Sequence, residues 1–169
     1  MRRTVVAFLV VFACLIAGSA RAEAIRFPKE GSPAFMITLP AGWIAHEDQY
    51  NGIQLLPTDH RTLVYLSMVR DAQYTGKPLM DLALAIGKPS NISVFPKQEP
   101  TSISGRDGTA FIGQMKNDKG TLLDVRMMII PLEPDLWATE TLLTSQNLSS
   151  TQVDALKEAV NGVSLIGVK

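Results

Sequence analysis

From residue 35 onward, short apolar segments alternate with turn signals, and this pattern restricts the fold more than any other feature of the chain. The clearest case is the segment 122–130. Every second residue from Leu123 to Ile129 is apolar, whereas the residues between them are mixed and include Asp124 and Arg126. Such alternation is typical of a β-strand with one face in the core. Because the second face is mixed, we expect a sheet whose other side is covered in part.

Turn signals divide this β pattern into hairpins. The strongest is Asn51-Gly52, because both residue types tolerate positive φ, and it predicts a hairpin that joins residues 43–49 to 53–57. We also predict strands at 35–39 and 63–70. Further hairpins are predicted at Asp107-Gly108, Asn117-Asp118-Lys119-Gly120 and Glu133-Pro134-Asp135.

Two segments have helical spacing instead. The first begins at Pro78 and ends at Gly87. The second begins at Ser149, which forms a capping box with Gln152, and it ends at Asn161-Gly162. Strands in hairpins together with two separate helices predict an α+β domain. We expect an antiparallel sheet of about six to seven strands with helices packed on it, as an α/β/α sandwich.

The N-terminal residues have the composition of a secretory signal peptide. Arg2-Arg3 is a short positive region, Val5 to Gly18 carries no charge, and Ala20-Arg21-Ala22 matches a small-x-small cleavage site. We therefore place cleavage between Ala22 and Glu23. Residues 1–22 are then a signal peptide and residues 23–169 a single domain that starts with a Pro/Gly/Ser-rich lead-in over 23–34.

Two other interpretations of the N-terminus stay open. An uncleaved anchor is one, although the run from Val5 to Gly18 is shorter than the roughly 20 residues that a spanning helix needs. A lipoprotein cut before Cys14 is the other, although Phe12 is bulky for such a site. After cleavage at Ala22 we expect no stable membrane insertion, and a periplasmic or secreted bacterial location.

Charge and cysteine content exclude several classes of function. Three of the 16 basic residues lie in the signal, so residues 23–169 contain three more acidic than basic residues. No polybasic run is present, which argues against nucleic acid as a partner. Cys14 is the only cysteine, so the domain after cleavage has no disulfide, thiolate nucleophile or cysteine-based metal site.

The segment from Phe35 to Trp43 resembles the start of the PsbP-like superfamily. It reads as a strand that runs into Pro40-Ala41-Gly42-Trp43, and the order of elements over 35–166 is also similar. That superfamily includes the PsbP subunit of photosystem II and the DcrB-like bacterial envelope proteins. The resemblance implies a sheet between helices and a non-catalytic role in binding or assembly. No family-specific ligand residues are recognised in this chain.

The search for catalytic chemistry turns on the two histidines. His46 and His60 flank the first hairpin, and either could serve a hydrolase together with a serine or carboxylate elsewhere in the chain. No G-x-S-x-G, S-x-x-K or H-E-x-x-H motif is present, so no catalytic residue or metal ligand is assigned. We expect no cofactor.

Trp43 and Trp137 are candidates for a binding surface, because indole rings supply large contact areas. Burial in the core is the more ordinary fate of a tryptophan. The candidate binding residues are therefore Trp43, His46, His60 and Trp137. The sequence favours a non-enzymatic binding or accessory protein of the cell envelope, whose partner is an envelope protein or a small ligand. A secreted hydrolase is the alternative.

Overall fold

The computed structural model describes residues 24–49, 51–92 and 94–168, which form ten strands and two α-helices. The predicted signal peptide and its cleavage site between Ala22 and Glu23 lie outside the described residues. The strands are β1 (Ala24–Phe27), β2 (Ala34–Thr38), β3 (Trp43–Glu47), β4 (Gly52–Pro57), β5 (Thr62–Arg70), β6 (Lys97–Ile103), β7 (Arg106–Lys116), β8 (Leu122–Glu133), β9 (Leu136–Ser145) and β10 (Val163–Ile166). The helices are α1 (Leu79–Gly87) and α2 (Ser150–Asn161).

Seven strands form an antiparallel sheet in the order β3-β4-β5-β9-β8-β7-β6. The other three form a small antiparallel sheet in the order β1-β2-β10. The predicted α+β class and the seven-stranded antiparallel sheet are thereby confirmed. The one non-sequential neighbour in the large sheet is the pair β5 and β9, which brings the first three strands of that sheet against the last four.

The large sheet separates two hydrophobic clusters, because side chains alternate between its faces. One face, here called the α1 face, packs Phe111, Met127 and Ile129 against Leu82 of α1. The opposite α2 face carries Leu55, Val64 and Ile130. Residues of β2 and β10 and Ala159 of α2 pack against that α2 face. Both faces of β8 are buried from Met127 to Ile130, as the mixed alternation of this segment predicts.

Both helices begin and end where the sequence places them. Pro78 precedes α1, and Gly87 is its last residue. The capping box of α2 is complete. The Ser149 side chain accepts a hydrogen bond from the Gln152 backbone N–H at 3.3 Å, and the Gln152 side chain accepts one from the Ser149 N–H at 2.8 Å. These reciprocal bonds satisfy donors that the first helical turn leaves open.

The predicted hairpins at Asn51-Gly52, 117–120 and 133–135 are confirmed by the pairing of their flanking strands. The hairpin predicted at Asp107-Gly108 is wrong. The chain turns three residues earlier, at Ser104-Gly105, where φ is 53° and 75°. Gly108 lies within β7, and a Cβ there would overlap the backbone oxygen of Ile129 on the neighbouring strand. This glycine is needed for close strand packing and not for a turn.

Two short strands were not predicted. β1 lies in the segment 23–34 that the sequence marks as a lead-in, and β10 follows α2 directly. Both pair with β2. This partner is distant in sequence from β10, and a Pro/Gly-rich loop separates it from β1. Within the described residues, no helix has the length and apolar character needed to span a bilayer.

Candidate functional site

An open cleft lies on the α1 face, beside the C-terminal end of α1. An α-helix is about 10 Å across and neighbouring strands are about 4.8 Å apart, so a single helix covers about two strands. Accordingly, α1 packs on β7 and β8. Parts of β4, β5 and β9 on the same face are left uncovered, and the space above them is the cleft, with a volume of about 500 Å³.

The cleft is lined by aliphatic side chains with polar groups among them. Its volume falls within the about 300–1,000 Å³ typical of small-molecule sites. Most of the side chains that line it are aliphatic or uncharged polar groups. The lining residues are Asp48, Gln54, Leu63, Tyr65, Ser67, Ile86, Gly87, Pro89, Ser90, Ile92, Met127, Thr141 and Leu143.

The hairpin between β3 and β4 places Asp48 at the mouth of the cleft. Asn51 adopts a left-handed conformation with φ of 58°, which lets the chain reverse there. The reversal is closed by two hydrogen bonds, from the Asp48 N–H to the Gly52 oxygen at 2.9 Å and from the Gly52 N–H to Asp48 Oδ1 at 3.0 Å. The carboxylate is therefore held at one end of the cleft by the turn itself.

Tyr65 of β5 reaches across β4 to this carboxylate. Its hydroxyl donates a hydrogen bond to Asp48, and burial together with that bond raises the pKa of Tyr65 to about 12. The phenol is thus a neutral donor at physiological pH. A Cβ on Gly52 would overlap the Tyr65 ring and hydroxyl. Gly52 consequently serves the turn and also leaves the space through which Tyr65 approaches Asp48.

The floor of the cleft contains hydroxyl groups among aliphatic side chains. Ser67 of β5 and Thr139 of β9 share a buried hydrogen bond of 2.7 Å between their hydroxyls. Thr141, which is 8% exposed, lies two residues further along β9 on the same face. A hydroxyl can both donate and accept, so this floor tolerates a ligand with either type of polar group.

The segment that follows α1 forms the wall of the cleft. A 3-10 turn over 88–90 is followed by Asn91, whose φ of 57° turns the chain back so that the Ile92 N–H donates to the Gly87 oxygen at 3.1 Å. A Cβ on Gly87 would lie 2.9 Å from the Cβ of Ile92. Glycine at the helix end therefore allows Ile92 to pack tightly and to present its side chain to the cleft.

The structure does not bring the four sequence-predicted binding residues together. Trp43 lies on β3 and is 7% exposed within the cluster of the α2 face. Trp137 lies on β9 and is 4% exposed in the cluster beneath α1. The two indoles are on opposite faces of the sheet, and both contribute to the core.

The two histidines are exposed and are also apart. His46 lies on the edge strand β3, directly opposite Gln54 of β4, so it sits next to the cleft without lining it. His60 lies in the turn between β4 and β5, beyond the other end of β3, where its N–H donates to the Pro57 oxygen at 3.1 Å. Among the described residues, no group of three or more His, Asp or Glu side chains is arranged to hold a metal ion.

Sequence reasoning missed the residues that do converge, chiefly Asp48, Gln54 and Tyr65. One signal was present, since hydroxyl-bearing Tyr65 and Ser67 alternate with buried apolar residues on β5. A fully packed strand face has little use for such groups, so the alternation indicated a partly open face. The partnership with Asp48 had no local signal because it depends on strand register.

Comparison with known proteins identifies no family. No family model matches the chain, and no curated protein has significant similarity to it. The PsbP-like membership that the segment 35–43 suggested is therefore not shown. The α+β assignment stands on the strands and helices described above.

Several solved structures have a similar arrangement at low identity. A protein of Bacteroides thetaiotaomicron VPI-5482 matches with a TM-score of 0.48 and 14% identity over 77% of this chain, which spans only 44% of that protein. LpqN, involved in cell envelope biogenesis of Mycobacterium tuberculosis, has a TM-score of 0.45 and 15% identity over 85% of this chain and 90% of its own. PA94 of Pseudomonas aeruginosa, a protein of unknown function, has a TM-score of 0.46 and 19% identity over 82% of this chain and 94% of its own. With TM-scores below 0.5, these similarities support no functional conclusion.

Proposed function

We propose that this chain is an exported, non-enzymatic binding protein of the bacterial cell envelope, and that the α1 cleft holds a small-molecule ligand. The observation that carries the proposal is the cleft itself, with its volume of about 500 Å³ and its few convergent polar groups. Concave sites with an apolar lining and a small number of placed polar groups are the usual form of ligand pockets.

The surroundings of the cleft favour binding over catalysis. Its hydroxyl groups at Ser67 and Thr141 lie apart from both histidines, which are at the sheet edge and in the β4–β5 turn. A general base must be within hydrogen-bond reach of the group that it activates. The cleft residues therefore supply orientation and apolar contact, and among the described residues neither Ser67 nor Thr141 has a histidine beside it that could activate its hydroxyl.

The export half of the proposal rests on the sequence of the N-terminus. The positive Arg2-Arg3, the uncharged run from Val5 to Gly18 and the cleavage motif at Ala22 are typical of a secretory signal. The PsbP-like resemblance of residues 35–43 implies the same kind of role, since that superfamily is mostly used for binding and assembly. Taken together they favour a periplasmic ligand-binding or accessory protein.

Nile red, an uncharged apolar dye that fluoresces in apolar surroundings, tests the cleft. We expect saturable 1:1 binding to the domain over residues 23–169. Leu143→Trp, which places an indole in the cleft, should weaken binding at least about tenfold. Val94→Trp adds the same side chain at a position that is 62% exposed and outside the cleft lining, so this control should bind as the unchanged protein does.

A second blocking variant guards against misfolding. Gln54→Trp fills the cleft from its half-exposed rim and leaves the core aliphatic residues untouched. Circular dichroism and thermal unfolding identify any variant that does not fold. If the folded blocking variants and Val94→Trp bind the dye equally well, the cleft is not the binding site and the proposal is wrong.

A further inference from the structure

We infer that the α1 cleft selects cationic amphiphiles, meaning an apolar chain or ring that carries an ammonium group, and that Asp48 determines this selectivity. The inference rests on the proposed function of the cleft and adds the chemical class of its ligand. It comes from the distribution of charge around the cleft and from the position of the carboxylate relative to the apolar lining.

Asp48 is the one charged side chain among the described residues that line the cleft. The nearest basic residue in sequence along the wall, Lys88, contributes to a neighbouring hollow together with Leu84 and Asn91. Tyr65 is kept neutral by burial and by its bond to Asp48, which hold its pKa at about 12. No lysine, arginine or histidine is among the described residues that line the cleft, so the fixed charge of this lining is negative and an anionic group on a ligand would be repelled by Asp48.

The carboxylate also has a fixed place relative to the apolar contacts. Asp48 belongs to the loop that leads into β4, whereas Ile86, Ile92, Met127 and Leu143 come from α1, its following turn, β8 and β9. A ligand that spans the cleft therefore places an apolar body over the sheet and one end against the β3–β4 loop. In a partly enclosed site the attraction between an ammonium and a carboxylate is stronger than in bulk water.

The turn keeps this carboxylate in position without a ligand. The Gly52 N–H and the Tyr65 hydroxyl both donate to it, so its orientation is set before binding. A preorganised group loses little conformational freedom when a ligand arrives. Hydrogen bonding also leaves the negative charge in place. The site is thus suited to an ammonium head group, and a neutral alcohol should bind by apolar contact alone.

Three ligands with one chain and different head groups test the inference: octylamine, 1-octanol and octanoate. Each is titrated into the protein with bound Nile red, and displacement gives its affinity. We expect octylamine to bind about tenfold more tightly than 1-octanol, and octanoate to bind more weakly than both. Added salt should reduce the preference for octylamine, because the contact at the cleft mouth is screened.

Asp48→Asn isolates the charge, because the asparagine side-chain oxygen can still accept from the Gly52 N–H and keep the turn. This variant should bind octylamine and 1-octanol with equal affinity. Asp59→Asn is the matched control. Asp59 likewise accepts a hydrogen bond within a turn, from the Arg61 backbone N–H at 3.0 Å. It lies on the α2 face, however, beside Thr151 and Gln152. The Asp59→Asn variant should therefore have the same selectivity as the unchanged protein.

The outcomes separate this inference from the proposed function. Equal affinity for octylamine and 1-octanol in the unchanged protein, with Nile red still bound in the cleft, overturns the cation selectivity and leaves the binding function intact. A preference for octylamine that persists in Asp48→Asn overturns the role of Asp48. If neither Nile red nor any octyl compound binds, the proposed function itself fails.

Discussion

At the scale of single residues, the most unusual group is Glu140, a carboxyl buried on the α2 face of β9. It is 1% exposed and lies between Leu66 of β5 and Met128 of β8. Its Oε1 has no hydrogen-bond partner among the described residues. Burial raises the pKa of Glu140 to about 7, and the nearby positive charge of Arg126 opposes this shift only in part.

The protonation of Glu140 should make folding stability depend on pH. A carboxyl with a raised pKa in the folded state binds its proton more tightly there than in the unfolded chain. Below about pH 4.5, the titration of Glu140 therefore leaves the free energy of unfolding unchanged. The free energy of unfolding falls as the pH rises from 4.5, the pKa in the unfolded chain, to about 7, and it is constant above that. The total loss corresponds to roughly 3 kcal/mol.

Glu140→Gln removes the titration while it keeps the shape of the side chain. We expect the unfolding free energy of this variant, relative to the unchanged protein, to rise by roughly 3 kcal/mol between pH 4.5 and pH 7.5. Urea unfolding at a series of pH values measures the difference. Glu99→Gln is a comparison on the same face. Hydrogen bonds from Lys97 and Arg126 lower the pKa of Glu99, so the unfolding free energy of this variant, relative to the unchanged protein, should not rise over the same pH range. A difference for Glu140→Gln that does not change with pH contradicts the assignment.

At the scale of elements, α2 depends on its capping box. Ser149 accepts from the Gln152 N–H, and the Gln152 amide also donates to Asp59 Oδ2 at 2.6 Å in the β4–β5 turn. Ser149→Ala should therefore lower the unfolding free energy by about 1 kcal/mol. Ser150→Ala alters an exposed serine at the next position, where a change within about 0.5 kcal/mol is expected.

Chemical denaturation of these two serine variants at neutral pH checks the prediction. The slope of unfolding free energy against denaturant should be the same for both variants, since neither change alters the surface that unfolding exposes. Equal midpoints for Ser149→Ala and Ser150→Ala would mean that packing alone maintains the start of α2.

The elements that could be predicted are those with complete local signals. The helix α2 has its cap and its apolar stripe within one segment, and the Asn51-Gly52 hairpin has its turn between two alternating runs. The turn after β6 could not be chosen in this way. Ser104-Gly105 and Asp107-Gly108 have similar turn chemistry, and the choice between them depends on the approach of β8 to Gly108. β10 depends on its pairing with β2, which lies more than 120 residues earlier in the chain.

At the scale of the whole molecule, the cleft results from a mismatch between one short helix and a wide sheet. The nine residues of α1 cover β7 and β8, while the small sheet and α2 cover the other face more fully. Local periodicity does not reveal which strands a helix covers, so the site could not be located from sequence. Asp48 and Tyr65 meet only because β4 pairs with β5 in the observed register.

The export assignment is also a property of the whole chain and can be measured directly. N-terminal sequencing of the protein recovered from its native envelope fraction should begin at Glu23, because Ala20-Arg21-Ala22 matches the cleavage motif. A start at Met1 indicates an uncleaved anchor or a cytoplasmic protein, and a lipid on Cys14 indicates a lipoprotein. The first result overturns the predicted signal peptide, and the second overturns the predicted cleavage site.

Amide NMR during a titration with 1-octanol shows whether the α1 cleft binds an apolar small molecule. We expect saturable shifts at backbone amides of the cleft, with Ser67, Gly87 and Thr141 among them. Amides of the small sheet, such as those of Phe35 and Val163, lie on the opposite face and should not move. Saturable shifts that cluster on the α2 face instead, or no saturable shifts at all, would contradict binding in the α1 cleft.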